Sequence, residues 1–410
     1  MEELALYGGP KTKTTPFGTG NRYGQEELDQ LKEALDQNTL FYAYGKKTTQ
    51  FLEKFKEMYG CPYAVATSSG TASIHTALAS LDVGPGDEVI TSAITDMGSV
   101  IGVLFQNAVP IFADVDPHTY NMTAKTIEAR ITPRTKAIEV VHLAGNPAEM
   151  DSILELSRRQ GIPIVEDCAQ SYLSIYKGKL AGTFGEIGCF SLNDFKHISA
   201  GDAGMLITND EKLAWKAKMF TDKGYDRTKT EHDPPFLSAN YRMNELEAAV
   251  AIAQLDKLEW LVSRRRKYGT RLTEGIADLP GIQPHKITAE SESSYWFYML
   301  RVDEKKLGTS RDMFVDALTA EGIPCRKGYI PRPVYRSRLF RKKAIYPNFN
   351  WPEDFPQYGD AIDYPEGLCP VAEEVLRTAV VLQINEFFTD EDIEETIRAI
   401  RKVAMYFTER

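Results

Sequence analysis

"YAVATSSGTASIHTALASL", residues 63–81, changes character twice within nineteen positions. Tyr63–Thr67 is a short apolar run, Ser68–Thr71 a tight loop around one glycine, and the residues that follow carry a helical apolar pattern. A strand that turns at once into a helix is the repeating unit of an α/β protein. The same alternation continues outward. Strand-like runs recur as "EVIT" (88–91), "VPIFAD" (109–114), "AIEVVHL" (137–143), "PIVED" (163–167), "GCFSL" (188–192) and "MLIT" (205–208). Between the earlier runs lie helical segments such as "MDSILELSRRQG" (150–161). Crossovers of this length predict a mostly parallel sheet covered by helices on both faces. The last two runs follow each other closely, so the seven-stranded sheet is expected to be mixed. Two helices, over 25–38 and 46–59, precede it, the second stopped by Gly60.

A long helical stretch begins at Asn244, and the pattern changes beyond it. "SSYWFYMLRV" (293–302) reads as a strand, "SRDMFVDALTAEGI" (310–323) as a helix capped by Ser310, and residues 389–407 as a closing helix with acids in its first turn. The expected division is a large domain over 1–260 and a smaller C-terminal α/β domain over 261–410. Residues 327–365, rich in Pro, Tyr and Arg, read as a long loop.

Composition narrows the function. With 43% hydrophobic and 26% charged residues, the 410-residue chain has the balance of an ordinary globular protein. Its net charge of -10 makes it a poor nucleic-acid binder. No run approaches the roughly 20 apolar residues that span a bilayer, and "MEELALYGGPKTK" lacks the form of a signal peptide. Five irregularly spaced cysteines read as reduced thiols, so a cytoplasmic location is expected. Six scattered histidines form no metal-ligand pattern, and no metal is expected. A nicotinamide oxidoreductase is disfavoured, because no G-x-G-x-x-G follows the first strand.

Three features bear on chemistry. The Ser68–Thr71 loop aims backbone N–H groups and a helix N-terminus at one point, which suits a phosphate; a plain capped turn has the same sequence. Glu166 and Asp167 end a strand, where ligands of open α/β sheets gather. A carboxylate there suits a protonated pyridine nitrogen, or simply caps a helix. Lys196 stands between two apolar runs, flanked by Ser199, Ala200, Gly201, Ala203 and Gly204. Desolvated, it would be a Schiff-base nucleophile; in an open loop it would be an ordinary solvated lysine. Together the three fit pyridoxal phosphate.

At this point the chain resembles the DegT/DnrJ/StrS sugar aminotransferases, of fold type I among pyridoxal phosphate enzymes. The likeness is carried by "SSGTASIHTAL", "GPGDEVI", "PIFADVDPHTYNM", "ITPRTKAI", "VHLAGNP", "GIPIVEDCAQ", "GCFSLNDFKHISAGDAGMLITND", "NYRMNELEAAVAIAQLDKL" and "CPVAEEV", in order along the chain. The resemblance implies that Lys196 is the lysine that carries the cofactor and Asp167 the partner of its ring nitrogen. It further implies Gln170 beside the ring hydroxyl, and Gly70, Thr71 and Ser191 on the phosphate. Asn240, in "NYRMNE", matches an asparagine that reaches the phosphate of a neighbouring subunit, which implies a homodimer with shared active sites. One position departs from the family: where an aromatic residue stacks on the ring, "AITDMGS" offers Asp96. Either Met97 or another side chain covers the ring, or Asp96 contacts substrate.

The implied reaction is transamination from L-glutamate to a keto-sugar, in amino-sugar (for instance lipopolysaccharide) biosynthesis. The alternative is the family's dehydratases or deoxygenases, which carry histidine at the lysine position; Lys196 favours transamination. His197, next to it, is expected to be structural. A purely binding or regulatory module is disfavoured while Lys196, Asp167 and Ser191 are intact. Eight basic residues and no acids lie between Arg326 and Lys343, with Tyr329 and Tyr335 among them. This suits an anionic acceptor, either nucleotide-linked or a keto-sugar acid such as an octulosonate, or else forms a solvated face. Asp96, Tyr329, Arg332 and Tyr335 are the substrate-contact candidates.

Overall fold

Seven strands build the larger sheet: β1 (Tyr63–Thr67), β2 (Glu88–Ser92), β3 (Val109–Ala113), β4 (Thr135–Val141), β5 (Ile164–Asp167), β6 (Ile187–Ser191) and β7 (Gly204–Thr208). The structure, a computed structural model, describes residues 2–230, 233–345, 348 and 362–409. Strand order is β1-β7-β6-β5-β4-β2-β3. Only β7 opposes its neighbours, pairing antiparallel with β1 and β6, while the remaining pairs are parallel. Chain length explains this. Residues 192–203 are all that separate β6 from β7, too few for a helical crossover, so the chain returns beside the strand it has just left.

Alternation along each strand sends successive side chains to opposite layers. Val65, Cys189 and Leu206 pack with helix Gly70–Ser80 on one face. Their neighbours Ala66, Phe190 and Met205 pack on the other, against helices Lys47–Tyr59 and Glu245–Ile276. This is the fold type I architecture, and the strand positions match those read from the sequence.

A second, antiparallel sheet follows: β8 (Ile282–Gln283), β9 (Tyr298–Val302), β10 (Cys325–Lys327) and β11 (Ala379–Leu382), ordered β8-β9-β11-β10. Helices Arg311–Ala320 and Asp390–Thr408 cover one face together with Tyr268, Leu272 and Ile276 of helix Glu245–Ile276. That 32-residue helix runs unbroken through residue 260 and serves both sheets. Leu4 packs into the same C-terminal cluster. A second cluster joins Ala93, Ile94 and Phe112 of the large sheet to Phe297, Met299 and Val381 of the small one, so the sheets share a core where they meet.

The strand read over 293–302 is shorter than expected. Only Tyr298–Val302 enters the sheet. Ser293–Phe297 instead lies along the loop after β4, where Ser294 N–H donates to the Gly145 carbonyl at 3.0 Å and Trp296 N–H to that of Ala144 at 2.9 Å. The basic stretch contains a 3-10 turn, Val334–Arg336, and a short helix, Arg338–Arg341; residues 346–347 and 349–361 of the expected loop lie outside the described residues. Among the described residues, no helix is long and apolar enough to cross a membrane.

Candidate active site

Beyond the carboxyl ends of β5 and β6 lies a cavity of about 720 Å³, bounded also by the second sheet. Ser69, Gly70, Thr71, Asp96, Asp167, Gln170, Ser191, Lys196 and Tyr329 all line it.

The loop after β1 comes first. Ser69 is in extended conformation, and its hydroxyl accepts from Ala72 N–H at 3.0 Å, which starts helix Gly70–Ser80. The first N–H groups of a helix have no acceptor within it, and Gly70 and Thr71, which carry two of them, line the cavity. A side chain at Gly70 would collide with Ser191, its Cβ lying 2.6 Å from the serine Cβ. The loop and the end of β6 therefore close into one cradle. Gly204 serves the same packing: a Cβ there would lie 2.3 Å from the Ser69 carbonyl oxygen. The small residue beyond Lys196 thus admits the backbone of the β1 loop.

The two carboxylates of β5 separate by strand alternation. Glu166 faces away from the cavity and is fully satisfied, accepting from His142 Nε2 at 3.0 Å and from the backbone of Gly182, Phe184 and Gly185 at 2.7, 2.6 and 2.7 Å. His142 Nδ1 in turn accepts from Ala148 N–H at 3.0 Å, so Nε2 carries the proton it donates. Burial works to raise the Glu166 carboxyl, but the His142 and backbone bonds outweigh it and hold it below its usual range. His142, Glu166 and Cys168 lie close enough to suggest a metal site, yet this bonding leaves the carboxylate no lone pair to give.

Asp167 faces the cavity. Ser99 Oγ donates to it at 2.7 Å and Ala169 N–H at 3.0 Å. Gln170 is clamped by Ala144 N–H, donating to Oε1 at 2.8 Å, while its own Nε2 donates to Tyr329 OH at 3.0 Å. Burial, then the charges of Asp96 and Asp167, push the Tyr329 phenol well up. It stays protonated, and with its oxygen already accepting, its own proton is left to donate.

Lys196 sits in the turn joining β6 to β7. Leu192 N–H bonds the Ala203 carbonyl at 2.8 Å and Lys196 N–H that of Asn193 at 2.9 Å, which shapes the turn. Its neighbour His197 points inward, fully buried, with Nε2 3.0 Å from the Ser294 carbonyl. Burial, aided by Arg265, holds that imidazole well below its usual range, so it stays neutral and structural. Lys196 points the other way. Its amine lies 4.1 Å from the centre of the Trp296 ring. Burial pushes the amine below the usual lysine range, while Asp167 and then Asp96 draw it back up.

Three candidates fall elsewhere. Tyr335 is not a substrate contact: it is fully buried, donating to Glu373 at 2.6 Å and accepting from Cys369 N–H at 3.1 Å, in the core shared by the two sheets. Arg332 is exposed and does not line the cavity; of the eight basic residues, only Arg326 does. Asn240 is exposed and outside the cavity of its own chain, paired by a backbone bridge to Asp222. Met97 packs into the shared core, and Asp96 accepts from Gly98 N–H at 2.8 Å at the cavity edge. Ser99 and Trp296 were missed by the sequence reading, and Arg326 was noted only as one of the eight basic residues, not singled out as a contact. Ser99 could have been found, since it follows the end of β2 closely; the place of Trp296, and which of the basic residues reaches the cavity, depend on how the second sheet docks.

A cradle for an anion, a half-buried amine and a strand-end acid in one cleft define a group-transfer enzyme built on the fold type I scaffold. Comparison with known proteins makes the class definite. The model of the DegT/DnrJ/EryC1/StrS aminotransferase family matches residues 21–355. GDP-perosamine synthase of Caulobacter vibrioides is 36% identical over 313 residues, covering 76% of this chain and 83% of its own. The aminotransferase from Psychrobacter cryohalolentis superposes with a TM-score of 0.84 at 29% identity, over 96% of this chain and all of that one. DesI, solved in the presence of its TDP-sugar product, superposes at 0.81 with 25% identity, over 99% and 97%. The chain belongs to the DegT/DnrJ/EryC1/StrS aminotransferase family, and it is an enzyme of amino-group transfer.

Proposed function

We propose that the protein moves an amino group from L-glutamate to a keto-sugar, with pyridoxal phosphate as cofactor and Lys196 as the residue that holds it. The observation that carries this is the convergence of Lys196, Asp167 and the N-terminus of helix Gly70–Ser80 on one cavity. The residues fit the group. Gly70, Thr71 and Ser191 form a cradle open to a phosphate. Asp167, held by Ser99 and Ala169, suits a ring nitrogen that must keep its proton. Gln170 and Tyr329 form a polar edge for a ring hydroxyl. When bound, the cofactor supplies an electron sink for the carbanion formed at the amino carbon.

The chain's own residues do the rest. Lys196, once its amine is free, would take the proton from the donor's amino carbon and return it to the carbon of the cofactor's aldehyde group, across the nitrogen, acting as base and then as acid. Its lowered proton affinity suits a group that must be neutral before it can accept. A histidine in its place would lack the primary amine that the exchange of amino donors requires, which favours transamination over dehydration.

For the acceptor, a nucleotide-linked keto-sugar is favoured. One relative is named for a GDP-linked product, and one structural neighbour was solved with a TDP-sugar. Arg326 at the cavity wall suits an anionic acceptor; a keto-sugar acid would meet the same guanidinium. Asn240, facing outward from its own protomer, reads as a contribution to the phosphate site of a second copy in a homodimer. Two lobes, dividing near residue 260, are part of the same reading, as is a cytoplasmic setting.

The test is a coupled assay for 2-oxoglutarate with purified protein, pyridoxal phosphate, L-glutamate and a panel of nucleotide-linked keto-sugars, with L-glutamine run in parallel and its product, 2-oxoglutaramate, followed by mass spectrometry. Acceptor-dependent 2-oxoglutarate is the expected result. Acceptor consumption without use of either donor would replace this reading with dehydration.

A further inference from the structure

Trp296 is the aromatic residue that meets the amine of Lys196. The 4.1 Å separation between Nζ and the ring centre is well within the range of a cation–π contact. Both sides of the contact are fixed. The indole Nε1–H donates at 2.7 Å to the carbonyl of Phe195, the residue just before Lys196. The backbone of Trp296 is tied at its N–H to Ala144, at 2.9 Å, and at its carbonyl to Arg265 Nη1, at 3.1 Å. Tyr329 meets the ring edge-on, with centroids 5.9 Å apart and planes at 79°. The ring is thus anchored to the turn that carries the lysine and to the loop after β4.

We infer that Trp296 is a positioning residue for Lys196, its ring face holding the amine in protonated form inside the cavity between proton transfers. The part this plays in the reaction rests on the transaminase reading above; the contact does not. A half-buried ammonium has lost hydration, and the negative face of an aromatic ring restores part of it, while a neutral amine gains little there. The other charged and titratable groups lining the same cavity are Asp96, Asp167, Asp194, Asp202, Tyr329, Arg22, Arg265 and Arg326. The four acids favour the cation, Asp167 and then Asp96 acting most directly, and the three guanidiniums oppose it. Trp296 sides with the acids without adding a negative charge, so it does so at no cost to binding an anionic substrate.

The test is competitive acylation of the full-length chain, free of cofactor and substrate, with acetic anhydride between pH 6 and pH 11. Mass spectrometry of the Lys196 peptide gives the midpoint of its titration in wild type, W296F and W296L. The midpoint should fall in the order Trp, Phe, Leu, with about a tenfold change in the protonation equilibrium between the extremes (~1.4 kcal/mol). Water entering beside leucine would act in the opposite direction, so a W296L midpoint at or above wild type overturns the inference. Equal midpoints for W296F and W296L overturn it too, because they would assign the effect to the indole N–H. Should W296L fail to fold, W296F alone decides: an intermediate midpoint is expected and a wild-type one refutes. Because no cofactor is present, failure of the transaminase reading would leave this measurement intact, and the reverse.

Discussion

Replacing Glu139 with glutamine should remove a large part of the loss of stability that the wild type suffers as pH rises. Glu139 lies on β4, opposite Val165 of β5, in the apolar layer under helix Gly70–Ser80. It is fully buried, and neither carboxyl oxygen makes a well-formed hydrogen bond; the Thr91 hydroxyl is near enough only to oppose weakly the effect of burial. Burial, and after it the charge of Asp167, raises this carboxyl well above its ordinary value of 4.5. The folded chain therefore keeps a proton that the unfolded chain releases. Stability is highest below pH 4.5 and falls as pH climbs from there toward the folded-state value, by about 1.4 kcal/mol per pH unit. An unfolding entropy of about 2.1 cal/mol/K per residue, taken over 410 residues, is about 0.9 kcal/mol/K. Each pH unit is then worth about 1.6 °C in Tm. Scanned from pH 5.5 to 8.5, the wild type should lose about 1.4 kcal/mol, or about 1.6 °C in Tm, relative to E139Q for each pH unit until the folded carboxyl ionises. Scanning calorimetry of both proteins across that range reads the difference, and subtraction cancels the groups they share. Parallel Tm curves would refute the reasoning, because they would mean that the carboxyl ionises inside the sheet as readily as in water.

Other expectations follow from single contacts. Lys196→Ala should lower 2-oxoglutarate formation by about 10²–10⁴-fold or more and abolish borohydride-fixed cofactor at that peptide, while leaving the fold intact by circular dichroism. Ser99→Ala removes one of the two donors to Asp167; a loss of about 0.5–1.5 kcal/mol should weaken cofactor binding roughly two- to twelvefold in an absorbance titration. Lys13→Met leaves Asp392 and Glu395, each 2.6 Å from the ammonium, without their buried cation. It should cost about 3–5 kcal/mol, seen as a lowered Tm without loss of cofactor affinity.

What could be read in the sequence was set by local rules. Strand-to-helix alternation placed all seven strands of the large sheet, because each crossover is fixed by its own apolar pattern and turn residues. The Ser69 cap and the Ser310 cap were legible for the same reason. Asp167 and Lys196 were legible because open α/β sheets gather ligands at strand ends, and both stand at such ends. The strand over 293–302 was misjudged in extent: apolar and aromatic residues look alike whether they pair in a sheet or line a cleft, and Trp296 does the second. Tyr335 was taken for a substrate contact because it stands among arginines, yet its ring fills the seam between the two sheets. Proximity in sequence to charge says nothing about which way a side chain turns.

The departure at Asp96 shows where local reading stops and docking begins. In sequence it is a carboxylate standing where a stacking ring is expected. In the fold it caps the turn into helix Gly98–Phe105 and adds a second negative charge acting on the Lys196 amine. The aromatic face near that amine comes instead from Trp296, which lies 200 residues later and reaches the cleft only because the small sheet packs against the loop after β4. A ring at position 96 and a ring at position 296 are not interchangeable, since Trp296 is tied through Phe195 to the backbone of the lysine turn itself. The acid and the indole favour the same protonation state of one amine, from two segments that no local pattern connects.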